Sequence, residues 1–185
     1  MGRFDSPELL AAWRDRGEWP AIHVPVVNMA VEMMIGMRLI DLGCSYGLLG
    51  ARLAGVLGLE AVLGLDADEA VLAAAIEAKV PIHHQLLRVT KDTLTDLIWA
   101  VSDFRADCMV CRRILPELFG DDLELGDLFG AKMARAGVKE MIVQGRVDSG
   151  RATNKLHNVE AEVAMLRRCW EPIRQQGSVV YLRAR

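Results

Sequence analysis

Apolar and polar positions along the chain predict strands and helices in turn. Short apolar runs predict strands at 38–42, 60–66, 84–89, 106–111 and 138–144. The Asp-Ser-Pro-Glu run predicts the start of a first helix near Asp5. Helical spacing and capping residues predict further helices over residues 24–35, 46–57, 68–78, 92–104, 123–136 and 158–170. Strands that alternate with helices indicate a mostly parallel sheet with helices on both faces.

The end of the chain departs from this alternation. Residues 170–175 and 178–183 predict two strands joined by a tight turn at Gly177, which is an antiparallel hairpin. We therefore expect residues 1–185 to form a single three-layer α/β domain with about seven strands. Residues 1–36 are expected to form helices that pack on its core.

Composition and charge narrow the class of protein. The 185 residues are 52% hydrophobic and 25% charged, which is enough apolar surface for one full core. A net charge of -3 argues against binding to duplex DNA through contacts with the DNA phosphates. The stretch 21–37 is interrupted by polar residues and falls short of a membrane span, and the first residues lack the apolar core of a signal peptide. These features predict a cytoplasmic protein that does not bind membranes.

The segment from Arg38 to Gly50 carries the strongest functional signal. An apolar strand runs into a turn with Gly43 and Gly47 and then directly into a helix pattern. Glycines allow a ligand to approach the backbone closely, and the free N–H groups of a helix start point into the same space. The next strand ends in Asp66, near the spacing at which a carboxylate binds ribose hydroxyls.

These residues carry a family resemblance. The run from Asp41 to Gly47 resembles the first motif, D-x-G-x-x-x-G, of class I S-adenosylmethionine-dependent methyltransferases, and Leu65 to Asp68 resembles the acidic end of their second strand. The resemblance implies a Rossmann-like fold, S-adenosylmethionine as cofactor, Asp41 near its amino group and Asp66 on its ribose. The cofactor contacts it implies are Asp41, Gly43, Cys44, Ser45, Tyr46, Gly47, Asp66, Ala67 and Cys111.

Other classes of protein have a similar glycine turn after a strand. A nicotinamide oxidoreductase usually spaces its glycines as G-x-G-x-x-G, which Gly43, Gly47 and Gly50 do not follow. The turn also satisfies G-x-S-x-G, the nucleophile elbow of α/β-hydrolases, with Ser45 as nucleophile. A third alternative is a methyltransferase-like module that lacks activity and serves binding or assembly.

The methyl acceptor is predicted less directly. By the same resemblance, Arg112 and Arg113 follow the fourth strand where substrate contacts lie, and Arg151 and Lys155 are on the loop after the fifth. Basic residues there favour an anionic acceptor, which could be a small molecule, a protein or an RNA. His157 is the candidate general base on that loop. A solvated pair is an equally good interpretation of Arg112 and Arg113.

Two cysteines and two histidines suggest metal binding but have simpler interpretations, and one expected acidic residue of the methyltransferase pattern is missing. Cys108 and Cys111 form C-x-x-C, but residues three apart on a strand face opposite sides, so core packing is expected rather than a metal or redox site. His83 and His84 are expected at a solvated strand entry. The acidic residue that often follows the third strand of these methyltransferases is missing, so adenine recognition stays unassigned.

Overall fold

The computed structural model describes residues 6–120, 122–145 and 159–185. The strands are β1 (Arg38–Leu42), β2 (Ala61–Asp66), β3 (His83–Leu86), β4 (Cys108–Arg112), β5 (Glu140–Gln144), β6 (Trp170–Gln176) and β7 (Val179–Ala184). The helices are α1 (Pro7–Arg16), α2 (Val24–Met33), α3 (Leu48–Leu57), α4 (Glu69–Glu77), α5 (Leu94–Phe104), α6 (Leu115–Phe119), α7 (Leu123–Arg135) and α8 (Val159–Ala164). Within these ranges, no helix combines the length and apolar character that crossing a membrane requires.

The seven strands form one sheet in the order β3-β2-β1-β4-β5-β7-β6. The first five strands are parallel, and β7 pairs antiparallel with both β5 and β6. The predicted mostly parallel sheet with a closing antiparallel hairpin is therefore confirmed. The strand order reverses between β1 and β4, and ligands of open parallel sheets bind at such a point, outside the carboxyl ends of the strands.

Helices cover both faces of the sheet, as predicted. One buried cluster joins the sheet to α5, α7 and α8, and a second joins it to α2 and α3. Cys111 belongs to the first cluster and Cys108 to the second, so the two thiols face opposite sides of β4. Both side chains are fully buried, and burial raises the pKa of each thiol. The C-x-x-C pair thus packs in the core.

Local chemistry explains where several elements begin and end. The Ser6 hydroxyl accepts from the backbone N–H of Leu9 at the start of α1, and Gly17 ends this helix at φ 67°. Asp68 accepts from the N–H groups of Ala70 and Val71 at the start of α4. Gly58 ends α3 at φ 66°. These starts and stops match the capping residues in the sequence.

Three element predictions were wrong in part. The strand predicted at 84–89 is β3, which ends at Leu86, so the residues after it form a loop. The helix predicted at 158–170 stops at Ala164, because Trp170 starts β6 and its buried indole N–H donates to the Gly130 carbonyl at 2.8 Å. The short helix α6 was not predicted, although Pro116 in its first turn and Gly120 after its end are the usual signals.

Glu140 fixes the chain that leads into the central strand. Its side chain is only 3% exposed, and Oε2 accepts from the backbone N–H groups of Ile35 and Gly36 at 3.0 and 2.8 Å. Its Oε1 accepts from the Tyr181 hydroxyl at 2.8 Å. Asp107 accepts in the same way from the N–H groups of Met37 and Arg38. Two carboxylates therefore satisfy the donors of the segment before β1.

We expect Glu140→Ala to lower the free energy of unfolding by roughly 2–4 kcal/mol, because it leaves two backbone donors and a buried hydroxyl without their acceptor. Tyr181→Phe removes one of the three bonds and should cost about 1 kcal/mol. Urea denaturation followed by circular dichroism measures both variants. Equal losses in the two variants would contradict the role of Glu140 as the anchor of Ile35 and Gly36.

Candidate functional site

A cavity of about 620 Å³ lies at the carboxyl ends of β1, β2, β3 and β4. This volume falls within the range of small-molecule sites, roughly 300–1,000 Å³. The residues that line it come from the four strand ends, α4 and α6, namely Leu42, Gly43, Ser45, Leu65, Asp66, Ala67, Asp68, Val71, Leu87, Arg88, Val89, Thr90, Lys91, Arg112, Ile114, Glu117 and Leu118. The cavity therefore lies at the strand-order reversal between β1 and β4.

The carboxylate of Asp66 joins two of these strand ends. Its Oδ2 accepts from the backbone N–H of Ser45, in the turn after β1, at 2.8 Å. Its Oδ1 accepts from the N–H of Asp68, after β2, at 3.0 Å. An ionised carboxylate has about four lone-pair sites, so two remain for ligand hydroxyls. Asp66 is thus placed to bind a diol while it holds the turn in shape.

The turn after β1 has the backbone conformation that its glycines suggested. Gly43, Ser45 and Gly47 have φ values of 71°, 52° and 73°. The N–H groups of Gly43 and Cys44 both donate to the Leu65 carbonyl, which ties the turn to the end of β2. Ser45 holds a positive φ although it has a side chain, which costs of order 1 kcal/mol or more. The turn is therefore fixed by its bonds to β2.

Side chains of the protein itself explain why the turn needs glycine. A Cβ on Gly43 would lie 2.8 Å from Cγ1 of Ile114, and a Cβ on Gly47 would lie 2.6 Å from Cδ1 of Ile82 and 2.8 Å from Nε2 of His84. Gly43 also lines the cavity, whereas Gly47 is not among its lining residues. The glycines thus permit close packing on the turn, and they do not by themselves indicate a ligand.

Some of the predicted cofactor contacts lie behind the cavity wall. Asp41 is 2% exposed, and its Oδ2 accepts from the N–H of Gly50 at 2.9 Å, so it holds the first turn of α3. Cys44, Tyr46 and Cys111 are also buried and do not line the cavity. The structure therefore brings Gly43, Ser45, Asp66 and Ala67 of the predicted cofactor set to the cavity itself. Those behind the wall are placed to support it.

His84 is more enclosed than the solvated strand entry that we expected. The side chain is half-buried, and its buried Nε2 has no hydrogen-bond partner among the described residues. Burial lowers the pKa of this imidazole, because the charged form loses hydration. His84 thus packs as a neutral ring behind the glycine turn. His83, in contrast, is exposed.

The residues predicted to contact the methyl acceptor differ in their positions relative to the cavity. Arg112 is buried and lines the cavity, whereas the neighbouring Arg113, at φ 57°, does not. Arg151, Lys155 and His157 lie outside the described residues, so their predicted roles stay predictions.

Several lining residues were missed in the sequence. The segment from Leu87 to Lys91 was assigned in part to the third strand, although residues that follow a parallel strand belong to the ligand-binding edge. Glu117 and Leu118 lie on α6 and Ile114 directly precedes it, and this helix was not predicted. Together these two segments add apolar walls, two further basic side chains, Arg88 and Lys91, and one acidic side chain, Glu117.

The hydrolase alternative finds limited support in this geometry. Ser45 lies in a positive-φ turn between a strand and a helix and lines the cavity, as a nucleophile elbow requires. However, no histidine from residues 6–120, 122–145 or 159–185 lines the cavity with it. Within this part of the chain, the serine therefore lacks the base that activates it.

Solved structures with this fold include methyltransferases. The bifunctional kinase-methyltransferase WbdD matches 99% of the chain at a TM-score of 0.61 and 14% identity, over 43% of its own length. A structure reported for the conversion of a disulfide bond into a thioacetal group during echinomycin biosynthesis matches 91% of the chain at a TM-score of 0.64 and 15% identity, over 83% of its length. An O-methyltransferase family protein from Burkholderia thailandensis matches 95% of the chain at a TM-score of 0.57 and 14% identity, over 59% of its length.

The chain therefore has the class I methyltransferase fold, as its sequence predicted. It spans less than half the length of the WbdD chain that it matches. No protein-family model and no curated protein matches the sequence.

We predict that Gly43→Ala lowers the free energy of unfolding by roughly 2–4 kcal/mol, because positive-φ strain adds to the contact with Ile114. Gly58→Ala is the matched control: Gly58 has φ 66° but no atom within 4 Å of an added Cβ. Its loss should be at least 1 kcal/mol smaller, by roughly the cost of overpacking. Urea denaturation measures both variants.

The contact itself is tested with Ile114→Ala in both backgrounds. Because Ile114→Ala makes room for the added methyl group, it should cost less in Gly43→Ala than in the unaltered protein. The coupling should be about 0.5 kcal/mol or more. Strictly additive losses would show that Ile114 does not press on Gly43.

Proposed function

We propose that this protein binds S-adenosylmethionine in the cavity and catalyses methyl transfer to an anionic acceptor. The proposal rests mainly on the position of Asp66. This residue lies at the end of β2 and lines the cavity, and its carboxylate keeps lone pairs for ligand hydroxyls. The methyltransferase fold of the chain and the presence of methyltransferases among its structural neighbours support the same chemistry.

The residues of the cavity fit this cofactor. Asp66 would accept from the ribose hydroxyls, and the backbone of Gly43 and Ser45 forms the adjoining wall. Val71, Leu87 and Leu118 provide an apolar lining suited to a flat base. When bound, S-adenosylmethionine would supply a methyl group on a positively charged sulfur, which is already activated for attack.

The chain then contributes alignment and exclusion of water. Ile114 and the neighbouring residues of α6 close the cavity on the side facing Gly43. A closed, apolar wall keeps water from competing with the acceptor for the methyl group. Holding the acceptor in line with the methyl carbon supplies the remaining rate enhancement. A base is needed only for an acceptor that must lose a proton, and His157 remains the candidate.

The proposed charge of the acceptor rests on Arg112. Arg112 is buried and lines the cavity, where low local polarity strengthens the attraction between a guanidinium and an anion. Arg88 and Lys91 add two exposed cations at the end of β3, whereas the acidic lining residues are Asp66 and Asp68 at the end of β2 and Glu117 on α6. The basic side of the cavity therefore suits a phosphate or carboxylate group.

We expect Asp66→Ala to weaken binding of S-adenosylhomocysteine at least tenfold, because the ribose loses charge-assisted hydrogen bonds worth ~1.5–3 kcal/mol each. Isothermal titration calorimetry measures the affinity, and thermal unfolding checks that the variant is folded. Ser45→Ala is the control, because it keeps the N–H that donates to Asp66. Its affinity should stay within a few fold.

Other outcomes of this titration favour the alternatives. An unchanged affinity in Asp66→Ala would remove the ribose assignment. If neither S-adenosylmethionine nor S-adenosylhomocysteine binds the unaltered chain, the inactive binding module is favoured. Esterase activity that disappears in Ser45→Ala would instead establish the hydrolase.

For the acceptor, we predict that small molecules bearing phosphate or carboxylate release S-adenosylhomocysteine in a methyl-transfer screen, whereas their neutral analogues do not. Arg112→Ala should raise the KM for such an acceptor about tenfold or more and leave cofactor affinity nearly unchanged. Arg113→Ala is the matched control, because Arg113 does not line the cavity. An equal rise in KM for both variants would contradict the assignment of Arg112.

A further inference from the structure

A second concavity lies at the opposite end of the sheet. Its volume is about 740 Å³. It includes Arg38 and His83, the first residues of β1 and β3, so it lies at the amino ends of the parallel strands. One face of α5 forms its wall. We call this concavity the α5 groove and define it by Arg38, His83, Gln85, Asp96, Trp99 and Asp103.

The wall of the α5 groove combines acidic side chains with an exposed aromatic ring. Asp96, Trp99 and Asp103 are spaced by three and four residues, so they share one face of the helix. Trp99 is 63% exposed, the largest exposure among the aromatic side chains of the described residues. An exposed tryptophan between two carboxylates is a surface that binds organic cations, through the ring face and through charge.

Arg38 brings one positive charge to the groove, against the two negative charges of Asp96 and Asp103. Its Nη1 lies 3.7 Å from Oε2 of Glu60, and its Nε donates to the Phe104 carbonyl at 2.9 Å. The guanidinium lies over the Phe104 ring at 4.8 Å from the centroid. The groove thus already holds one guanidinium against an aromatic ring. The helix α5 itself carries two acidic residues and no basic one.

We propose that the α5 groove binds an arginine-bearing peptide segment of a partner protein. An arginine side chain can stack on Trp99 and donate paired hydrogen bonds to Asp96 or Asp103, which matches both chemistries of the wall. His83 and Gln85 on the edge strand β3 supply exposed polar side chains on the opposite side. The groove binds independently of the cofactor cavity, because β1 separates the two sites by its five residues, roughly 15 Å.

The test uses two fluorescently labelled nine-residue peptides and the full chain. One peptide alternates arginine with glycine, and the other carries neutral citrulline at each arginine position, which keeps the shape and removes the charge. Fluorescence anisotropy should show saturable binding of the arginine peptide alone. Because the attraction is electrostatic, its affinity should fall as NaCl is raised from about 50 to 200 mM.

Variants locate the binding in the groove. Trp99→Ala and the double variant Asp96→Asn/Asp103→Asn should each weaken binding about threefold or more. The double variant Glu69→Gln/Glu77→Gln removes two exposed charges from α4 and should leave binding unchanged. Peptide binding is measured without cofactor or acceptor, so failure of the proposed function does not affect this result.

Three results would overturn the proposal. These are equal affinity for the citrulline peptide, undiminished binding in Trp99→Ala, and absence of saturable binding by the unaltered chain at millimolar peptide. Thermal unfolding of each variant shows that a loss of binding is not a loss of fold, and all three side chains in the groove variants are exposed.

Discussion

The candidate site depends on one carboxylate that connects two turns. Asp66 accepts from the N–H of Ser45 after β1 and from the N–H of Asp68 after β2. Because β1 and β2 are parallel neighbours, their ends lie side by side and the carboxylate can reach both. Without an acceptor at this position, the positive-φ turn from Gly43 to Gly47 would keep its two bonds to the Leu65 carbonyl but lose the bond that Ser45 makes to the end of β2.

This arrangement gives each nearby residue a distinct task. Asp41 is buried and holds the start of α3, so it supports the turn from behind. Gly43 leaves room for Ile114, which brings α6 against the turn and closes the cavity. Arg112 then presents positive charge from the end of β4, across the strand-order reversal. The structural elements thus place an anion-binding group and a hydroxyl-binding group in one cavity.

Local sequence signals predicted the parts of the fold that local chemistry decides. The strand, turn and helix from Arg38 to Leu57 and the acid at Asp66 could be read from glycine spacing and apolar runs. The antiparallel hairpin followed from the turn at Gly177, which lies at φ 56°. The helix α6 has five residues, too few for a helical period to show, and it was not predicted.

Whether another residue belongs to the site depends on the direction in which its side chain points, and strand register decides that direction. The strand β4 ends one residue later than predicted, so Arg112 belongs to the buried strand rather than to the segment after it. Arg112 faces the cavity and Arg113 does not, a difference that a one-residue shift would reverse. The third strand was predicted to run to residue 89, whereas β3 ends at Leu86, and this assigned the loop residue Arg88 to the strand.

The most direct test of the central claim is a titration of the unaltered, ¹⁵N-labelled chain with S-adenosylhomocysteine, followed by amide NMR. We expect saturable shifts at one equivalent in Gly43, Ser45 and Asp68, because the amides of Ser45 and Asp68 donate to the Asp66 carboxylate and Gly43 lines the same cavity. Amides of the α5 groove, such as Trp99, should not move. Shifts that are absent at millimolar ligand, or that are confined to residues away from the cavity, would contradict cofactor binding at this site.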